Sequence, residues 1–204
     1  MAPYAKTGEV HLRITAKAED EKTAFAMIEP VEEILKQRFG DCVYTDDPQV
    51  TLELAVAELL KKHCLTVTTA ESCTGGLLAG RLINAPGISG QFREGYITYS
   101  NEAKEKLLGV SHKTLETYGA VSPQTAAEMA EGGARAAGAD VCIAVTGIAG
   151  PDGGTEEKPV GLVYLGCCLR GNVYTEKNLY SGSRSKIREY SVASALTFLR
   201  RGGF

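Results

Sequence analysis

The sequence predicts an α/β domain built on a mixed sheet and preceded by a small α/β appendage. Beyond residue 48, stretches of strand character alternate with stretches of helical periodicity, the pattern of a layered α/β domain. Within it Val141-Cys142-Ile143-Ala144-Val145 is a continuous apolar run, as expected for a strand covered on both faces. Residues 160–169 and 172–179 flank Arg170-Gly171 and read as a hairpin, which makes the sheet mixed. The chain has 204 residues, 44% hydrophobic and 23% charged, enough for one sizeable core and a small appendage.

The elements follow in order. Residues 9–17 alternate apolar and polar side chains, a half-buried strand. Residues 20–38 carry Ala24, Met27, Ile28, Val31, Ile34 and Leu35 at helical spacing, with Gly40 at the expected stop. Cys42-Val43-Tyr44 reads as a short strand, so the appendage has a βαβ-like order and starts abruptly, as if it were the tail of something longer. Thr45-Asp46-Asp47-Pro48 is a polar break that divides an appendage of residues 1–47 from a main domain of residues 48–204. Leu52, Leu54, Ala55, Leu59 and Leu60 mark a helix, and residues 65–69 a strand. A helix opens near Gly75 and runs through Leu82, residues 95–99 form the next strand, and residues 101–108 a helix closed by a turn at Gly109. Ser122-Pro123 is a helix start, Ser as N-cap and Pro at the first helical position, leading into an Ala-rich helix to about Ala137. An amphipathic helix over residues 185–201 closes the domain.

A net charge of −3 argues against a general nucleic-acid binder, which needs a concentrated basic surface, but leaves room for a phosphate-bearing small molecule held by backbone amides and an arginine. The reading expects no signal peptide, no membrane span and a cytoplasmic location. Six cysteines without a C-x-x-C or zinc spacing read as reduced, mostly buried thiols.

Three constellations can carry chemistry. The first is Thr69-Ala70-Glu71-Ser72-Cys73-Thr74-Gly75-Gly76. Ser72 lies on a turn between a strand and a helix, at the carboxyl end where open α/β sheets bind ligands. Unpaired helix-start amides would surround its hydroxyl, and Gly75 and Gly76 would permit close approach of a ligand. Ser72 is thus a candidate nucleophile; the bland alternative is that Ser72 or Thr74 only caps the helix. No Ser-His-Asp set accompanies it, since His11, His63 and His112 fall on unrelated segments. The second is Tyr96-Ile97-Thr98-Tyr99-Ser100-Asn101-Glu102-Ala103-Lys104, again a strand end leading into a helix. Lys104 sits one turn in and could act as a base if desolvated, although spacing alone favours a solvated lysine paired with Glu102 or Glu105. The third, Thr146-Gly147-Ile148-Ala149-Gly150-Pro151-Asp152-Gly153-Gly154, leaves the central strand and fits neither the Walker A nor the dinucleotide pattern. Ser183-Arg184-Ser185-Lys186 reads as a helix start with Arg184 free to grip a phosphate.

Together these motifs resemble one family, the C-terminal domain of the competence/damage-inducible protein CinA, the nicotinamide-mononucleotide deamidases. The resemblance rests on residues 68–76, Tyr99–Lys104, Tyr118–Ser122, Thr146–Gly154 and Glu157–Gly161, in the family's order across residues 50–201. Residues 9–44 look like the small domain that precedes it in full-length CinA; the metal-dependent domain of that longer protein, and its activity, are not carried over. The resemblance implies a three-layer α/β/α sandwich and a homodimer. It implies hydrolysis of the carboxamide of nicotinamide mononucleotide to nicotinic acid mononucleotide and ammonia, with no metal and no cofactor. Ser72 would be the nucleophile, Lys104 its base, Tyr99 a partner in the same hydrogen-bond network and Thr146 with nearby amides the oxyanion support. Thr74, Gly75, Gly76, Ser100, Asn101, Gly147 and Arg184 would line the substrate site. A catalytically silent pyridine-nucleotide-binding or regulatory protein, or a different amide substrate in the same pocket, stays open.

Overall fold

The computed structural model describes residues 1–202; residues 203 and 204, with which the expected main domain ends, lie outside the described residues. The chain divides into two compact units, the first Met1–Val50 and the second beginning at Thr51.

The first unit is a hairpin followed by a helix. Strands β1 (Ala2–Lys6) and β2 (Glu9–Arg13) pair antiparallel, from Ala2 opposite Arg13 to Lys6 opposite Glu9. Helix α1 (Glu21–Phe39) is capped by Asp20, whose carboxylate accepts from the Thr23 amide and hydroxyl, and it ends at Gly40 with a φ of 49°. The βαβ-like order is therefore corrected. The second strand pairs with residues 2–6, ahead of it in sequence, and stops at Arg13; residues 42–44 have no ladder partner, Cys42 ending a 3₁₀ turn over Gly40–Cys42 and residues 43 and 44 following it.

The second unit is an α/β domain with helices on both faces of a five-stranded mixed sheet. Its elements are α2 (Leu52–Lys62), β3 (Val67–Glu71), α3 (Leu77–Leu82), β4 (Tyr96–Ile97), α4 (Asn101–Ala103), which runs into a π-helical turn over Lys104–Leu108, α5 (His112–Tyr118), α6 (Pro123–Ala137), β5 (Val141–Gly147), β6 (Leu162–Leu169), β7 (Asn172–Leu179) and α7 (Arg184–Arg201). The strand order is β4-β3-β5-β6-β7, with β4, β3 and β5 parallel and β6 and β7 antiparallel. As expected, the hairpin turns at Arg170-Gly171 and Ser122 caps α6 through the Thr125 amide.

Alternation along the strands splits the core in two. Ala70, Cys142, Ala144 and Cys168 pack with Met129, Ala130 and Ala134 of α6 on one face. Val141, Ile143 and Val145 are equally buried and point to the other face, where α7 crosses β5 and β6 and packs on α2 and α3. Because β4, β3 and β5 are parallel, their carboxyl ends share one edge of the sheet. The three sequence constellations begin at those ends, which is where open α/β sheets place ligands.

Two packing details set the geometry there. Gly75 and Gly76 have φ values of 60° and 95°, so helix α3 starts only at Leu77, and residues 72–76 form a turn that L side chains would strain. In mid-helix α6, a Cβ on Gly132 would run into the Leu108 carbonyl. Its absence lets the π turn carrying Lys104 press against α6, and Lys104 and Leu108, four residues apart, both face inward.

Candidate active site

Ser72 follows the last residue of β3, and its amide donates to the Val145 carbonyl (2.9 Å), so the ladder holds its backbone to the neighbouring strand. On the other side the Thr98 amide donates to the Glu71 carbonyl (2.7 Å), extending the β3–β4 pairing and bringing residues 98–104 alongside the Ser72 turn. Ser72 is 8% exposed and Lys104 fully buried, and Lys104 Nζ lies 3.1 Å from Ser72 Oγ. The solvated-lysine alternative, which spacing favoured, is thereby corrected. Lys104 is drawn inward because the π turn faces it towards the sheet end.

Around Nζ stand the carbonyl oxygens of Thr98 (2.8 Å), Tyr99 (3.4 Å) and Ser100 (3.5 Å). A neutral amine has two N–H donors and one lone pair. The donors can go to these carbonyls, and the lone pair is then left for the Ser72 hydroxyl proton. Burial pushes the Lys104 pKa down from 10.5 to about 8; the neighbouring Cys73 and Glu102 pull weakly the other way. Burial likewise raises the Cys73 thiol to about 11, so it is neutral at pH 7 and no competing nucleophile.

The Ser72 turn is held from both sides by residues to which the sequence reading gave no role. The fully buried Glu71 carboxylate accepts from the amides of Gly76 (2.9 Å), Leu78 (3.0 Å) and Ala79 (2.8 Å). This corrects the expectation that the helix-start amides are unpaired, because a buried carboxylate needs donors and takes the nearest ones. From α7, the Arg188 guanidinium donates through Nε to the Cys73 carbonyl (3.0 Å) and through Nη2 to the Thr74 carbonyl (2.7 Å). Among the described residues, no hydrogen-bond partner is found for the amides of Cys73 and Thr74 or for the buried Thr74 hydroxyl. Both residues could have been suspected from sequence. Glu71 is an acid beside a helix start, and Arg188 lies four residues beyond Arg184 on the same helix face.

The remaining expected site residues fall as follows. Tyr99 is 65% exposed, and its hydroxyl accepts from Arg184 Nη2 (3.3 Å), so Tyr99 meets Lys104 through its carbonyl rather than its ring. Arg184 also donates to the Gly150 carbonyl (2.7 Å), tying the Gly-rich loop to Tyr99. The buried Thr146 hydroxyl donates to the Ala120 carbonyl (2.7 Å), which commits its proton away from Ser72. Ser100 caps α4 through the Ala103 amide (3.2 Å), and Asn101 is the exposed first residue of that helix. Gly147 ends β5 against Val163, where a side chain would have no room. Gly75 is exposed and Gly76 half-buried, a Cβ on the latter meeting Ile97 at 3.1 Å.

This arrangement offers a hydroxyl, a buried amine within reach of its proton and two unpartnered amides directly after the hydroxyl-bearing residue. These are the parts of a serine acyl-transfer site.

Comparison with known proteins gives a consistent likeness. A family model described as the CinA C-terminal domain matches residues 49–202, and one described as the damage-inducible protein CinA KH domain matches residues 1–45. A Clostridium novyi (strain NT) protein, provisionally named as competence-damage inducible, is 57% identical over 98% of this chain and 48% of its own length. The chain thus spans about half the length of the curated relatives it matches. Among solved structures, the competence/damage inducible protein CihA from Agrobacterium tumefaciens is 45% identical, with a TM-score of 0.69 over 74% of this chain and 94% of that one. A competence-damaged protein (CinA) superfamily protein from Escherichia coli is 36% identical, with a TM-score of 0.72 over 79% of this chain and 97% of its own.

Proposed function

Since this chain belongs to the CinA family, we propose that its Ser72–Lys104 pair hydrolyses the carboxamide of nicotinamide mononucleotide, releasing ammonia and nicotinic acid mononucleotide. The observation that carries the reading is the 3.1 Å approach of a buried lysine amine to a serine hydroxyl at the shared end of three parallel strands.

In this reading Ser72 Oγ attacks the amide carbon as its proton passes to the neutral Nζ of Lys104. The negative charge that develops on the carbonyl oxygen meets the amides of Cys73 and Thr74. Lys104 then returns the proton to the leaving nitrogen; the C–N bond breaks, ammonia departs and an ester to Ser72 remains. Water, deprotonated by the same amine, attacks the ester and frees Ser72 and the nicotinate carboxylate. No step calls for a metal. Arg184, at the rim between the Gly-rich loop and Tyr99, is placed to meet the phosphate of a mononucleotide. The same reading takes the working protein as a cytoplasmic homodimer with no nucleic-acid partner; no helix among the described residues is long and apolar enough to cross a membrane.

The test is ammonia release across a panel of pyridine nucleotides and their ribosides. Nicotinamide mononucleotide is expected to be turned over, and Ser72→Ala to lose at least about 10³-fold in rate with its fold intact. Retained turnover in Ser72→Ala sinks the nucleophile assignment. Tight binding without any ammonia release points instead to a silent nucleotide-binding protein.

A further inference from the structure

Ser72 lies on a turn whose conformation is not regular secondary structure, and of the two side chains that hold the turn, Glu71 is its neighbour and Arg188 comes from the far end of the sequence. We propose that Arg188 is a positioning residue for the Ser72 site, and that its fork aims the Thr74 amide at the oxyanion. The proposal rests on the acyl-transfer reading above, and it adds the part of the structure that keeps the turn reactive.

A trans peptide is planar, with its C=O and N–H pointing in opposite directions, so fixing one fixes the other. In the unit joining Ser72 to Cys73, the Ser72 carbonyl accepts from the Gly75 amide (3.1 Å), which closes the turn and sets the direction of the Cys73 amide. In the unit joining Cys73 to Thr74, the carbonyl accepts from Arg188 Nε (3.0 Å), so the Thr74 amide points away from α7. In the unit joining Thr74 to Gly75, the carbonyl accepts from Arg188 Nη2 (2.7 Å) and, less closely, from the Leu77 amide (3.3 Å), and the Gly75 amide is turned back onto Ser72. One guanidinium edge thus orients two successive peptide planes, and the two amides left without partners are those adjacent to the nucleophile. Gly75 supplies the left-handed φ of 60° that the turn needs; a Cβ there would stand only in ordinary contact with Arg188 Nη2, so the backbone conformation rather than space calls for glycine.

Arginine suits this task and lysine does not. Nε and Nη2 lie in one plane at a fixed spacing that matches two consecutive carbonyls, whereas an ammonium is a single point that can favour one of them. Four residues earlier on the same helix face, Arg184 fastens the Gly-rich loop by the Gly150 carbonyl. Helix α7 therefore reaches all three loops at the sheet edge with two guanidinium groups, Arg188 on the Ser72 turn and Arg184 between the Gly-rich loop and Tyr99.

The test compares Arg188→Met, Arg188→Lys and Arg188→Ala with the unaltered chain in two assays. One is ammonia release from nicotinamide mononucleotide, resolved into kcat and KM. The other is covalent labelling of Ser72 by a fluorophosphonate, read by intact mass. There the Ser72 Oγ–P bond forms, fluoride leaves and the serine proton passes to Lys104, with no dependence on the natural substrate. Labelling and kcat are expected to fall by about 100-fold in both Arg188→Met and Arg188→Lys, with KM changed by less than about threefold. Methylguanidinium at a concentration that does not unfold the protein is expected to restore part of the Arg188→Ala rate, a response that a merely structural role would not give. If Arg188→Met melts early, Arg188→Lys, which keeps the charge and the apolar stem, carries the comparison.

Labelling of Arg188→Met at the unaltered rate overturns the proposal. So does a loss confined to KM with labelling intact, which would make Arg188 a substrate contact. A chain that labels at Ser72 but releases no ammonia loses the deamidase reading, while the labelling rates still decide the role of Arg188. Failure of the unaltered chain both to label and to release ammonia removes both.

Discussion

Replacing Lys104 with methionine is expected to make this protein more stable at neutral pH while abolishing its activity. Lys104 is fully buried, and burial lowers its pKa from 10.5 to about 8. At 1.36 kcal/mol per pH unit, that gap is a penalty of about 3 kcal/mol on folding with the amine charged. The sign follows from proton counting. Between about pH 8 and 10.5 the unfolded chain holds a proton on this lysine that the folded chain has given up, so stability rises with pH through that window. Below pH 8 both states are protonated and the full penalty applies. Methionine has a similar stem and no charge, but it leaves the Thr98 carbonyl without its donor, at a cost of about 1 kcal/mol. Lys104→Met should therefore be about 2 kcal/mol more stable than the unaltered chain at pH 7 and should have lost that advantage by about pH 10.5. Urea unfolding of both proteins across this range measures the difference, in which all other titrating groups cancel. A difference that does not change with pH, or a variant less stable at pH 7, would refute the account of Lys104 as a buried, destabilised cation.

In the proposed reaction the same amine is the base, and the rate should follow its titration. kcat/KM should rise with unit slope from acid pH to a plateau above about pH 8, because only about a tenth of Lys104 is neutral at pH 7, and Lys104→Arg should be inactive throughout since a guanidinium keeps its proton. Glu71→Ala strands the Gly76, Leu78 and Ala79 amides and should lower stability by about 3 kcal/mol, seen in urea unfolding and in faster hydrogen exchange at those amides. Gly132→Ala drives a methyl into the Leu108 carbonyl. It should cost about 2 kcal/mol and also lower kcat, because the displaced π turn carries Lys104; a stability loss with unchanged kcat would mean that the turn yields without moving the amine.

Much of the fold was legible because its signals are local. Period-2 and period-3.6 patterning, Ser122-Pro123 at a helix start and Arg170-Gly171 between two strands act within a few residues, and each lies where the sequence placed it. The appendage misled because residues 9–13 pair with residues 2–6, and pairing is a property of two segments, not of one pattern. The two-residue β4 was expected to be longer for the same reason: it ends where its partner β3 gives way to the Ser72 turn.

In the site, the sequence by itself identified Ser72, the three constellations and their placement at strand ends, since a polar run after an apolar strand is visible without coordinates. It did not determine the state of Lys104. Spacing around that residue favours a solvated helix lysine, and a pKa depends on what surrounds the amine in three dimensions. Only the packing of the π turn against Gly132, with three carbonyls and Ser72 around Nζ, decided that Lys104 is buried beside the Ser72 hydroxyl. Arg188 shows the same division. Its side chain is read from the sequence, but which backbone groups it holds was decided by tertiary structure, because its partners lie more than a hundred residues away along the chain.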